Sequence, residues 1–198
     1  MPKQVDHDQR RRQIAEALWR ISADRGLEAV SMREVAAEAG VSIGLVQHYF
    51  RDKNDLVGFA VGRLRERIEE RVRRSVASTP PPHTPRRLLR AVLVALLPLE
   101  SEGRTESLVG IAVFIRALGD PDLAATYRRG QALLVTAVAD QIRAGVRDGE
   151  LRPDLDAETE ADILLALVSG LTTTLLLGHG SADQVLNTLD HQLARLAT

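Results

Sequence analysis

The chain has 198 residues, is 44% hydrophobic and 27% charged, and contains no cysteine. That balance suits an ordinary globular protein, and the missing thiols exclude a disulfide framework, a cysteine nucleophile and a Cys-based zinc site. Net charge is −1 but unevenly spread: residues 1–77 hold 15 Lys and Arg against 12 Asp and Glu, while residues 78–198 hold 11 against 15. A basic N-terminal third joined to an acidic remainder fits a nucleic-acid-binding head on a body with another task.

Apolar residues recur with helical spacing almost throughout, and no period-2 strand stands out, so an all-α fold of about nine helices is expected. A first helix over 9–26 carries Ile14, Ala17, Leu18 and Ile21 on one face and stops at Gly26. Ser31 with Glu34 has capping-box spacing and opens a helix that ends at Gly40. Ser42 caps a short helix ending near Tyr49 or Phe50. Asp52 caps a long one over 53–78, with Leu56, Ala60, Leu64, Ile68, Val72 and Val76 at four-residue steps. STPPPHTP at 78–85 then breaks the pattern with four prolines. Further helices are expected over 86–99, over 105–118, from Pro121 to about Asp148, from Asp156 or Ala157 to Leu177, and from Ser181 to about 197. The organisation expected is a head over 1–53 and a body over 54–198, joined by the helix over 53–78.

The informative stretch is MREVAAEAGVSIGLVQHYFR at 32–51. Two short helices flank a tight turn, with small Ala36 where they cross, Gly40 at the helix stop and Val46 returning to the core. This is the helix-turn-helix pattern, which lays its second helix in a DNA major groove. An αα-hairpin of a bundle would show the same offsets, but the neighbours add weight. Lys53, the only lysine besides Lys3, begins a helix, where the dipole disfavours a cation and a DNA phosphate would explain it.

From Arg10 to Leu56 the chain resembles the DNA-binding domain of the tetracycline-repressor (TetR) family. HYFRDKNDL at 48–56, and MPK followed by RRRQ at the start, are most similar to its BetI-like branch. The resemblance implies a three-helix head, a helical ligand-binding and dimerisation body, and a homodimeric repressor. Such a repressor binds a palindromic double-stranded operator and is released by a small-molecule effector. Carried over by position, DNA contacts fall on Arg33, Ser42, Ile43, Gly44, Leu45, Gln47, His48, Tyr49 and Lys53. Gln47 suits direct reading of adenine, whose N6 and N7 pair with an amide. Ser42, His48, Tyr49 and Lys53 suit phosphates, and Gly44 permits close approach. Arg10, Arg11 and Arg12 are either further phosphate contacts or a solvated charge run.

The helix over 157–177 is apolar on nearly all sides, so one side can face the body's core and the other a second copy. Leu164, Val168, Leu171 and Leu175, with Val185, Leu189, Leu193 and Leu196 of the last helix, are the expected dimer interface. Pocket candidates are Phe114, Arg116, Tyr127, Gln131, Thr172 and Thr173. Only Phe114 and Tyr127 are aromatic beyond the proline run, a thin cage for a quaternary ammonium. An inward Arg116 would favour an anionic effector, an outward one a neutral effector.

No cofactor, metal or enzymatic activity is expected. DLDAETEAD at 154–162 starts like a calcium loop but has Thr159 and Leu165 where glycine and glutamate belong. No two of the five histidines sit three or four residues apart, and no phosphate-binding loop or nucleophile elbow occurs. No unbroken run of 18 apolar residues exists, and MPKQVDHDQRRRQ lacks the apolar stretch of a signal peptide. No membrane partner is therefore expected, and the cytoplasm is the expected location. The competing reading is an all-α small-molecule-binding or interaction protein without specific DNA binding.

Overall fold

Caps and glycines set most of the helix boundaries, and the chain follows them closely. The computed structural model describes residues 2–28 and 30–198, with side chains from His7 onward. Among the described residues there are nine helices and no strand, only an isolated bridge between Leu151 and Ala197. They are α1 (Pro2–Arg25), α2 (Met32–Glu38), α3 (Ile43–Tyr49), α4 (Lys53–Ala77), α5 (Pro85–Leu96), α6 (Ser101–Ala117), α7 (Pro121–Arg147), α8 (Ala157–Leu177) and α9 (Ala182–Arg195).

Three boundaries differ from expectation, one of them the start of α6, at Ser101 and not at 105. α1 begins at Pro2 and not near residue 9, because no breaker lies between that proline and Gly26; the apolar stripe that marks the helix in the sequence starts only at Ile14. α5 stops at Leu96 and not at 99, because Leu97 precedes Pro98 and takes an extended conformation.

The chain forms two compact units: Met1–Arg67 with Thr105–Tyr127, and Ile68–Arg104 with Arg128–Thr198. α4, α6 and α7 each contribute to both. The first unit buries Ile14, Leu18, Trp19 and Ile21 of α1, Val35 and Ala36 of α2, Val46 of α3, Phe50, and Leu56 and Leu64 of α4. The second has a core built by Leu89 and Leu93 of α5, Val138 and Ile142 of α7, Leu164 and Val168 of α8, and Leu189 and Leu193 of α9.

α8 averages a mean hydropathy of 1.6 over 18 residues, long and apolar enough by composition to cross a membrane. A helix of that hydropathy thus arises here without an unbroken run of 18 apolar residues. Ala161, Leu164, Leu165, Val168 and Leu171 line its inner face and are buried in the second unit's core.

Candidate nucleic-acid interface

The turn between α2 and α3 is built by backbone bonds that only a glycine permits easily. Gly40 sits at φ +66°, its N–H donates to Ala37 O at 3.1 Å, and the next N–H, of Val41, donates to Ala36 O at 2.9 Å. This pair of bonds satisfies the last carbonyls of α2 and turns the chain sharply. Ser31 and Glu34 form the expected capping box at the other end. α1 anchors the turn: Gln13 Nε2 donates to Ala39 O at 2.8 Å, and Arg20 Nε pairs with Glu38 at 2.6 Å. α3 starts where Ser42 Oγ accepts from the Leu45 N–H, and it is held by Val46, which is fully buried.

That burial fixes which face of α3 is presented. Gly44, Gln47 and His48 are exposed; Ile43, Leu45 and Tyr49 are half-buried. Arg33 of α2 is exposed as well, and among the described residues neither it nor Gln47 has a side-chain partner. Gly44 is open, with only Ser42 Oγ near where a Cβ would stand, at 3.9 Å. α3 thus presents a free amide and little bulk, with a free guanidinium beside it on α2, a face that suits base reading and close approach in a major groove. Ile43 and Leu45 offer less to DNA, since part of each is turned inward.

Three basic residues read differently in three dimensions. Arg11 lies over the rings of Phe50 and Phe59, 5.0 and 4.2 Å from their centroids, so it is a packing residue. Arg10 donates to Gln13 at 2.8 Å, and Arg12 remains exposed. Lys53 also has a protein partner: its Nζ donates to Glu28 O at 3.1 Å, which accounts for a cation at a helix start without DNA. Burial lowers its pKa, with Glu28 opposing and Arg116 adding to the shift.

Arg116 belongs to the same polar junction. Its guanidinium donates to Glu28 Oε1 at 2.9 Å and Asn54 Oδ1 at 2.7 Å, with Asp120 one turn along α6 at 3.9 Å. It joins the end of α6 to the loop before α2 and the start of α4. Arg116 thus already has a carboxylate and an amide partner in the chain, which leaves its guanidinium less to offer an anionic effector. Phe114 and Tyr127 do meet, ring centroids 5.6 Å apart, both partly exposed in the first unit. Gln131, Thr172 and Thr173 lie in the second unit. Gln131 and Thr173 are exposed, and the Thr173 hydroxyl donates to Ser169 O in its own helix. The second unit does hold a cleft of about 690 Å³, lined among others by Arg86, Arg87, Arg90, Glu150 and Asp190, and none of the six candidates lines it. The sequence reading missed this cleft because its walls are charged residues from three distant segments.

The expected dimer residues need correction. Leu164, Val168, Leu171, Val185, Leu189, Leu193 and Leu196 are all buried inside one copy, and Leu175 packs against them. They form the second unit's own core because α8 and α9 pack on each other and on α5 through these side chains. The opposite stripe of α8 is open: Ile163, Ala166, Gly170, Thr173 and Leu177 are exposed, and Leu167 and Thr174 are half-buried.

An all-helical chain whose head presents a capped, uncluttered second helix of a helix-turn-helix is a DNA-binding regulator in class. The sequence model described as "Bacterial regulatory proteins, tetR family" matches residues 14–58, and that for the "BetI-type transcriptional repressor, C-terminal" matches residues 85–198. The chain is 32% identical over 185 residues to the HTH-type transcriptional regulator PksA of Bacillus subtilis, covering 89% of this chain and 83% of that protein. Among solved structures, a transcriptional regulator from Rhodococcus superposes with TM-score 0.79 at 32% identity, over 94% of this chain and 95% of that one. A transcriptional regulator from Saccharomonospora viridis, solved in complex with choline, superposes with TM-score 0.82 at 28% identity, over 93% and 95%. The chain belongs to the TetR family of bacterial transcriptional regulators, with a BetI-type repressor C-terminal region. It is a ligand-responsive DNA-binding repressor and not an enzyme.

Proposed function

We propose that two copies of this chain bind one palindromic operator in the bacterial cytoplasm, each laying α3 in a major groove, and let go when a small molecule binds the body. The carrying observation is the free polar face of the head: Arg33 and Gln47 stand exposed and unpartnered on a scaffold fixed by Val46 and Gly40. Gln47 reads a base. Ser42, His48, Tyr49 and Lys53 contact phosphates, for which Lys53 keeps two ammonium protons beyond the one given to Glu28. The second copy meets the outer stripe of α8, where Ala166 and Gly170 allow close helix crossing between Ile163 and Leu177. Half-sites one helical turn apart then follow from the two-fold.

The effector is a small neutral or cationic molecule. Arg116 is engaged by Glu28 and Asn54, and the Phe114–Tyr127 pair offers a wall of rings to a cation. Choline, found in the Saccharomonospora relative, is the first compound to titrate. The effector acts by binding the DNA-incompetent arrangement more tightly, with α4 carrying the shift to the head and the Arg116 junction tying α6 to it.

The test is capture of genomic fragments at about 0.15 M salt followed by sequencing, since salt sets the non-specific background. Fragments sharing one inverted repeat are expected. On that repeat Gln47→Ala should cost ~1–3 kcal/mol and relax one base position, while Lys53→Ala should weaken all sequences and lower the salt slope by about 1. No enrichment, with or without metabolite extract, would favour the reading without specific DNA binding.

A further inference from the structure

α1 brings one residue to the DNA-facing corner that no sequence pattern singles out. His7 lies edge-on to Tyr49 of α3, ring centroids 4.5 Å apart, and Tyr49 in turn lies edge-on to His48 at 5.2 Å. The two imidazoles are 6.5 Å apart. His7 and His48 are exposed, and among the described residues neither hydrogen-bonds to a protein group. Both therefore keep their ring nitrogens for an outside partner.

We propose that His7, His48 and Tyr49 form a proton-linked phosphate clamp, so that this repressor binds DNA more tightly as pH falls. The proposal rests on the operator-binding reading of α3 and extends it to α1. A neutral imidazole offers one N–H donor; an imidazolium offers two and a positive charge, and imidazole ordinarily changes charge between pH 5 and 8. A phosphate beside two imidazoles favours the charged forms, so binding takes up protons. By linkage, each proton taken up makes binding up to tenfold tighter per unit fall in pH. Tyr49 adds a hydroxyl donor, and its ring touches both imidazoles edge-on.

The surrounding charges do not replace this role. Among the described side chains of α1 they are Asp8, Arg10, Arg11 and Arg12, with Arg11 held over Phe50 and Phe59 one turn beyond His7. α3 carries no acid, and the residues after it add Arg51 and Asp52. No acid among these pairs with either imidazole. Among the described residues, then, neither histidine has an anionic partner.

The experiment measures affinity of the full chain for its captured duplex, and for a random duplex at low salt, from pH 6 to 7.5. Wild type is compared with His7→Gln, His48→Gln and the double variant, with His83→Gln as a control outside the head. The expected result is binding at least fivefold tighter at pH 6, a salt slope steeper there by about 1 to 2, and loss of both effects in the double variant. Each single variant should lose part. Thermal unfolding should be unchanged, since both side chains are exposed. Equal pH slopes in wild type and double variant would overturn the clamp while leaving the operator reading intact. Binding to no duplex at any pH would overturn both.

Discussion

α3 and α8 show how differently burial can be decided in one chain. α3 has so few apolar side chains that Val46 and half of Ile43, Leu45 and Tyr49 are all it can bury, and its outer face is fixed as soon as it folds. α8 is apolar nearly all round, so its composition allows either face inward. Packing with α5 and α9 chose the face of Leu164 and Val168, leaving Ile163, Gly170 and Leu177 outside. A helix's function is legible from its sequence when it has one apolar face, and illegible when it has two.

The sharpest way to break this comparison is to damage each face of α8 separately. Leu164→Ala removes a fully buried side chain from the second unit's core and should cost about 2–5 kcal/mol in urea unfolding. An unchanged midpoint would mean that Leu164 belongs to an interface after all. Gly170→Arg places a long cation where a Cβ meets nothing within 4 Å, so the single copy should fold at least as well, helped by helix propensity. Sedimentation should show a monomer, with the dimer weakened about a hundredfold or more (~2.7 kcal/mol). A dimer of wild-type strength would move the interface elsewhere.

Smaller effects test the head and its ties. Arg116→Ala leaves Glu28 and Asn54 without their donor and should cost about 1 kcal/mol, with faster amide exchange around residues 27–31 and 53–56. Unchanged exchange would sever the junction from the head. The smallest effect lies at Arg90–Asp190, a two-pronged pair at 2.5 and 2.9 Å on the rim of the charged cleft. The Arg90 hydrogen bond holds the Asp190 carboxyl below its ordinary range, burial opposing. A depressed carboxylate contributes stability at neutral pH that is lost as pH falls through its folded value. Both side chains are more than a third exposed, so the pair is worth only about 0.5 kcal/mol. Asp190→Asn should lower stability by that much at pH 7, and the difference should vanish once pH falls below the folded carboxyl's depressed value.

Much of the reading face was legible because it follows from local rules. The Ser31–Glu34 box, the Ser42 cap and the Gly40 turn each act within a few residues, and all three form as their spacing predicts. His7 beside Tyr49 was not legible: the two are 42 positions apart and meet only because α1 runs past the end of α3. Lys53 was half legible. Its odd place at a helix start is real, but its nearest partner is a carbonyl of the chain itself.

By itself, then, the sequence determined most of the helix starts and stops, which short helix faces outward and which family the head resembles. Those depend on caps, glycines and apolar spacing, interactions that close within one or two turns. Only the tertiary structure decided which side of α8 is core, that Arg11 packs and Arg116 clasps, and that His7 of α1 meets Tyr49 and His48 of α3. Each of those outcomes is a choice among partners far apart along the chain, made when whole helices pack, and no local spacing records it.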